Sequence, residues 1–215
     1  MHLTDLANGL LGANGIVGAG VPIAAGSALS HSLDGGGRLA CAVFGDGALN
    51  QGVVMETLNM AALMRLPLLL VCENNLYAEM TPIDRSSAVV ELSQRVAAFG
   101  IRTEKVDGND AVAFAETVRQ AADTVRAGQG PFFLEAMTYR ISGHYHLDPG
   151  TGYRPKEEIE AWRERDPVLA LRQSLDPALA KALEAEAARE IEEAVAFAVA
   201  QPEPEPVGMA GRMFR

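Results

Sequence analysis

Little in this sequence points to a cross-linked, nucleic-acid-binding or membrane-spanning protein. Its 215 residues include two cysteines, Cys41 and Cys72. Both fall inside apolar runs that read as buried strands, so they are expected as small core side chains in a reducing compartment, not as a disulfide or a metal pair. Basic residues are outnumbered, 18 Lys and Arg against 28 Asp and Glu, for a net charge of −10 and a pI near 4.9. Phosphate backbones select basic surfaces, so a nucleic-acid partner is excluded. No stretch reaches the ~20 apolar residues that a membrane helix needs, and no basic segment followed by an apolar core opens the chain. The expectation is therefore no membrane partner, no secretory signal and a cytoplasmic address. No internal repeat is found.

What is present is a 48% hydrophobic composition, enough for one ordinary domain with a full core. After a Gly-rich loop to residue 20, the pattern predicts a helix near 23–33 and a strand ending at Phe44. A helix over 52–65 and a strand over 68–72 follow. Further helices near 89–99 and 111–127 alternate with strands at 101–106 and 131–136, the pattern of an α/β protein with a parallel, doubly wound sheet. From Pro155 the chain is helical and charged, with a long Ala/Glu-rich helix over 178–200. The expected organisation is one α/β domain over 1–200, with these C-terminal helices included, and a Pro/Glu-rich tail over 201–215.

The chemistry concentrates where two of these strands end. Gly45-Asp46-Gly47 follows the run Leu39-Ala40-Cys41-Ala42-Val43-Phe44, and Asn74-Asn75 follows Leu68-Leu69-Leu70-Val71-Cys72. The 26 residues between Gly47 and Asn74 suit a turn, a helix and a second strand, one βαβ unit. Such a unit brings both strand ends to one sheet edge, where open α/β folds bind ligands. Mg²⁺ takes oxygen donors and is usually held by few protein groups plus phosphate oxygens, so Asp46 and Asn75 read as a magnesium-diphosphate clamp. Taken singly, Asp46 is a turn aspartate and Asn75 a loop cap. Glycines 12, 15, 18 and 20 do not fit a G-x-G-x-x-G spacing and no strand precedes them, which excludes a dinucleotide loop. His144, His146 and Asp148 alternate as three metal ligands on a strand would, but Gly143, Pro149 and Gly150 argue against a strand. His146 and Asp148 thus read as hydrogen-bonding loop residues. Val53, Val54, Leu58, Ala61, Ala62 and Met64 are expected as core and subunit contact.

Several blocks in register extend the motif: Gly12-Ala13-Asn14-Gly15-Ile16-Val17-Gly18, Gly45 to Gly52, Cys72 to Tyr77, Thr138-Tyr139-Arg140 with Gly143-His144, and Tyr153 to Ile159. In these the chain resembles the alpha subunit of the thiamine diphosphate-dependent 2-oxo acid dehydrogenases, the family of the pyruvate, branched-chain and acetoin dehydrogenases. The resemblance implies that Asp46, the Asn75 side chain and the main-chain carbonyl of Tyr77 bind Mg²⁺, that Gly47 and Ala48 offer backbone N–H groups to the diphosphate, and that Gly15 and Val17 meet the aminopyrimidine. It places His144 at the reaction centre, for proton transfer or charge stabilisation, with Arg140 ordering its loop. It implies a subunit that decarboxylates a 2-oxo acid such as pyruvate, or cleaves acetoin, and passes the acyl unit to a lipoyl group on an acyltransferase. It also implies an activating glutamate supplied by a beta subunit in an α₂β₂ tetramer, so no activity is expected from this chain alone.

Two departures qualify the resemblance. Met1-His2-Leu3 looks like the interior of a longer alpha subunit, so the expectation is either a split subunit completed by a separate N-terminal alpha fragment or a non-catalytic truncated remnant that keeps the fold and subunit contacts. The serines phosphorylated in mitochondrial relatives correspond to Tyr145 and Gly152, so kinase control of that loop is not inherited. The stretches 73–82 and 154–158 favour pyruvate or acetoin over branched-chain substrates.

Overall fold

The computed structural model describes residues 2–203; most of the expected tail, residues 204–215, lies outside them. In chain order the elements are α1 (Gly20–Asp34), β1 (Ala40–Gly45), α2 (Gly52–Leu63), β2 (Leu68–Asn74), the two-residue strands β3 (Tyr77–Ala78) and β4 (Thr81–Pro82), then α3 (Ile83–Ser86) and α4 (Leu92–Ala97). They continue with β5 (Arg102–Asp107), α5 (Ala111–Arg126), β6 (Phe132–Met137), α6 (Lys156–Arg163), α7 (Pro167–Ser174) and α8 (Pro177–Ala200). No helix among the described residues is long and apolar enough to cross a membrane.

The chain divides into two compact units, one ending at Pro167 and the other beginning at Val168. The first is an α/β unit around a four-stranded parallel sheet of order β1-β2-β6-β5. Side chains alternate across a strand, and β2 shows it: Leu68, Leu70 and Cys72 join the core under α1, α2 and α4, while Leu69 and Val71 join the core under α5. Helices on both faces make the sheet doubly wound, and they explain why β2 and β6 read as continuous apolar runs. Each large side chain so buried is worth about 1.5–3 kcal/mol. Local signals set the helix ends. Gly35 closes α1 in the left-handed region (φ 69°), its N–H donating to the His31 carbonyl, and Asp110 caps α5 by accepting the Ala113 N–H at 2.9 Å.

One core expectation needs correction. Cys72 is fully buried and burial pushes its thiol well up, as expected of an inert core cysteine, but Cys41 is exposed. It sits on edge strand β1 with Val43 (65% exposed), on the face that α5 leaves bare there, while Ala40 and Ala42 face the helices and are buried. On α2, Val54, Leu58 and Ala61 are core; Val53 and, just past the helix end, Met64 are exposed, as residues kept for a subunit contact would be.

In the second unit α8 is capped by Asp176, whose carboxylate accepts the N–H groups of Ala178 (2.9 Å) and Leu179 (3.1 Å), with Pro177 as the first helical residue. Arg172 and Glu184 form an ion pair at 2.9 Å within this unit.

Candidate active site

The parallel register pairs Gly45 with Glu73, so Asp46 and Asn74 leave the sheet side by side. Asp46 opens a 3₁₀ turn over Asp46–Asn50. Its carboxyl is 2% exposed, and Oδ2 makes no hydrogen bond. Burial pushes the Asp46 pKa up; the backbone N–H groups of Asp46, Asn75 and Gly47 and the charge of Arg140 oppose that rise without cancelling it. An acceptor buried without a donor costs roughly 1–3 kcal/mol unless something positive meets it. Gly47 admits no side chain, because a Cβ there would lie 2.5 Å from the Ala78 Cβ. The Asp46 turn and the loop after β2 are thus in direct contact.

That loop is tightly bent. Leu76 (φ 70°) and Glu79 (φ 56°) both occupy the left-handed region, unfavourable for residues with a Cβ. Asparagine side chains hold the bend: Asn74 Oδ1 accepts the Leu76 N–H at 3.2 Å, and Asn75 Oδ1 accepts the Tyr77 N–H at 3.2 Å. Arg140 joins two loops: it donates to the carbonyls of Tyr77 (3.3 Å) and Glu79 on this one and to the Tyr153 hydroxyl (3.3 Å) on its own.

The His144 loop is organised by residues to which the sequence reading gave little or no weight. Asp148, 7% exposed, accepts the N–H of His144 (2.7 Å), the N–H of Gly150 (2.8 Å) and the Tyr153 hydroxyl (2.8 Å). These bonds, the backbone ones first, hold its carboxyl below the usual range. Arg154, 6% exposed, donates to the carbonyls of Gly150 (2.9 Å), Ser142 (3.0 Å) and Arg140. Its guanidinium lies 5.1–5.7 Å from the ring centres of Tyr77, Tyr139 and Tyr153. Glu158 accepts the hydroxyls of Tyr77 (2.9 Å) and Tyr139 (2.7 Å), and Tyr139 stacks on Trp162 at 5.2 Å. Burial, reinforced by Glu158, pushes the Tyr77 phenol up to about 12. Tyr77, Ile83, Glu158 and Trp162 line a cavity of about 520 Å³ beside the bent loop.

Sequence reasoning therefore found residues that the structure brings together at one sheet edge: Asp46, Gly47, Asn75, Tyr77 and, through its reach to Tyr77, Arg140. Ala48 is buried in the same turn. His144 is exposed, its ring edge-on to Tyr145 at 6.5 Å. Gly15 packs near His2, and Val17 is 59% exposed. Among the described residues no group of three or more His, Cys, Asp or Glu could hold a metal ion, the three residues 144, 146 and 148 included. Asp148 reads in the sequence as a loop residue; the part played by Arg154 does not show there, although Arg154 stands in the block from Tyr153 to Ile159.

Comparison with known proteins decides the family. Residues 1–207 match the family described as Dehydrogenase E1 component. This chain belongs to that family. Among its relatives, the pyruvate dehydrogenase E1 component subunit alpha of Rickettsia felis is 40% identical over 95% of this chain. The human somatic mitochondrial form of that subunit is 41% identical over 95% of this chain, and the rat testis-specific mitochondrial form 39% identical over 100% of this chain. The chain spans 53–64% of the lengths of these E1 relatives.

Proposed function

We propose that this E1-family chain serves as an alpha-type subunit of a thiamine diphosphate-dependent dehydrogenase acting on pyruvate or acetoin. The observation that carries the reading is the buried, unpartnered Oδ2 of Asp46, set where two strand ends meet, in a carboxyl that the backbone N–H of Asn75 also reaches. A divalent cation would relieve that oxygen, and the neighbouring donors suit Mg²⁺: the Asn75 amide oxygen and the Tyr77 carbonyl, which keeps a lone pair free beyond its bond from Arg140. The relatives' names, each a pyruvate dehydrogenase E1 alpha subunit, support the substrate class.

In this reading the chemistry supplied by the cofactor when bound is attack on a keto carbon and storage of the resulting electron pair. The protein binds and orients. Asp46, Asn75 and the Tyr77 carbonyl would hold the cation, and the N–H groups of Gly47 and Ala48 would face the diphosphate. Gly47 has no side chain to obstruct phosphate. Gly15 and Val17 would meet the aminopyrimidine through main-chain atoms. Arg140 fixes the Tyr77 carbonyl in place. His144, whose backbone Asp148 pins while its ring stays exposed, would accept or donate a proton at the reaction centre. A beta subunit would complete the site in an α₂β₂ assembly, with a lipoyl-bearing acyltransferase taking the acyl unit. Apolar side chains exposed at Val43, Met60 and Leu63 are what such a contact would cover.

The test combines the chain with a beta subunit, with and without an N-terminal alpha fragment, in Mg²⁺ and thiamine diphosphate. Turnover of pyruvate or acetoin that needs the partners and vanishes in Asp46→Ala is the expected result. Preference for 2-oxoisovalerate would overturn the substrate assignment. Absence of cofactor binding in every combination would leave a non-catalytic remnant.

A further inference from the structure

Glu135 sits in the middle of the sheet and is fully buried, yet nothing in the proposed chemistry uses it. Its register partners are Cys72 on β2 and Lys105 on β5, and Lys105 is occupied by Glu91 at 2.5 Å. The Glu135 carboxylate instead accepts three hydrogen bonds: from Asn74 Nδ2 at 2.7 Å, and from the N–H (2.9 Å) and hydroxyl (2.6 Å) of Ser93. A carboxylate in a core is expensive even when satisfied, and an apolar residue of similar size would cost less. Its position suggests a purpose.

Asn74, 1% exposed, spends both ends of its amide. Nδ2 donates to Glu135, and Oδ1 accepts the N–H of Leu76, the residue held at φ 70°. Only one orientation satisfies both. Flipped, the amide would set Nδ2 against the Leu76 N–H and Oδ1 against the carboxylate, a like pairing at each end. We propose that Glu135 is a positioning residue: by accepting from Asn74 it fixes that amide's orientation, which holds Leu76 in its left-handed bend and delivers Asn75 and Tyr77 to Asp46. The link from this bend to cation affinity rests on the function proposed above; the link from Glu135 to the bend does not.

The polarity of the pair supplies the test. In Glu135→Gln the new side chain offers one acceptor and one donor where three donors converge, so either Ser93 or Asn74 loses its partner. Asn74→Asp alone sets two carboxylates face to face. The double variant Asn74→Asp/Glu135→Gln reverses the bond: the new amide at 135 accepts from Ser93 and donates to the new carboxylate at 74, whose second oxygen still accepts from Leu76.

Two readouts follow on the full chain. Amide hydrogen exchange at Leu76 and Tyr77, which needs no cation, should speed up about tenfold or more in each single variant and return to within about threefold of wild type in the double. Mn²⁺ affinity in the presence of thiamine diphosphate should fall about tenfold in each single variant, the usual scale for loss of a group supporting a metal ligand, and recover in the double. If a single variant fails to fold, the double variant still decides. Unchanged exchange in Glu135→Gln, or a double variant no better than the singles, overturns the proposal. If wild type binds no Mn²⁺ while exchange follows the expected cycle, the cation reading fails and the role of Glu135 in the bend stands.

Discussion

The loop leaving β2, residues 75–82, is anchored from below by groups buried in the sheet, whereas the loop leaving β6, residues 138–155, is anchored by its own residues packed on the rings of Tyr77, Tyr139 and Tyr153. The first rests on Asn74 and Glu135, both 1% exposed or less. The second rests on Arg154 and Asp148, with His144, Tyr145 and His146 exposed between them. A support made by the sheet should persist as long as the sheet does, while one made by a single arginine can be removed without unfolding the core. Under the proposed function two demands on one site would explain the difference: cation donors need a fixed frame, and a residue that handles protons needs to remain reachable.

The comparison can be broken most forcefully at Arg154. Removing its guanidinium in Arg154→Ala leaves three carbonyls without their donor and three rings without their cation, at a cost of about 2–4 kcal/mol. Urea unfolding would show the loss. Limited proteolysis should place it in the 141–152 loop while residues 75–82 remain protected; equal opening of both loops would show that they are one structure. Arg154→Lys should rescue little, because a point charge cannot replace a fork of donors.

Gly47→Ala tests the first loop. The added methyl collides with Ala78, so the Asp46 turn and the bent loop must separate, at about 1–3 kcal/mol. Cofactor binding should fall more steeply than stability, which isothermal titration alongside thermal melting would reveal.

Asp148 sharpens the contrast through pH. Its folded pKa lies below its usual 3.8, so its stabilisation is present above that value and disappears as pH falls through the lower folded one. Exchange at the His144 and Gly150 amides should therefore stay slow down to about pH 4 and quicken below it once intrinsic exchange is corrected for. Asp148→Asn should exchange fast throughout and lose this acid transition. The loop over 75–82 should show no matching transition in the same range.

The smallest structural effect belongs to His144→Ala. The ring is exposed, so stability should change by less than about 0.5 kcal/mol. Turnover of the reconstituted complex should nonetheless fall by about 10²-fold or more. Activity near wild type would remove His144 from the chemistry and leave only its backbone in the loop.

What could be read in advance divides along physical lines. The sheet was legible because its central strands β2 and β6 are apolar on both faces and its strands are separated by helix-length segments, and Asp46 and Asn75 were legible because they directly follow the apolar runs of β1 and β2. Cys41 was misread because ACAVFG looks the same whether one face of β1 is covered or bare, and an edge strand gives no local sign of which. The 3₁₀ turn at Asp46 and the β3–β4 hairpin escaped because they depend on bonds too local and too short to make a period. Glu135 and Arg154 escaped for the opposite reason. Their partners lie up to 61 and 77 positions away, so their importance exists only after folding.

Whether Asp46 and the bent loop after β2 hold one divalent cation together is read by following Mn²⁺ binding with electron paramagnetic resonance, thiamine diphosphate being present. One bound Mn²⁺ per chain is expected, abolished by Asp46→Ala, weakened by Asn75→Ala and unaffected by His144→Ala. Equal Mn²⁺ binding in wild type and Asp46→Ala would rule such a site out.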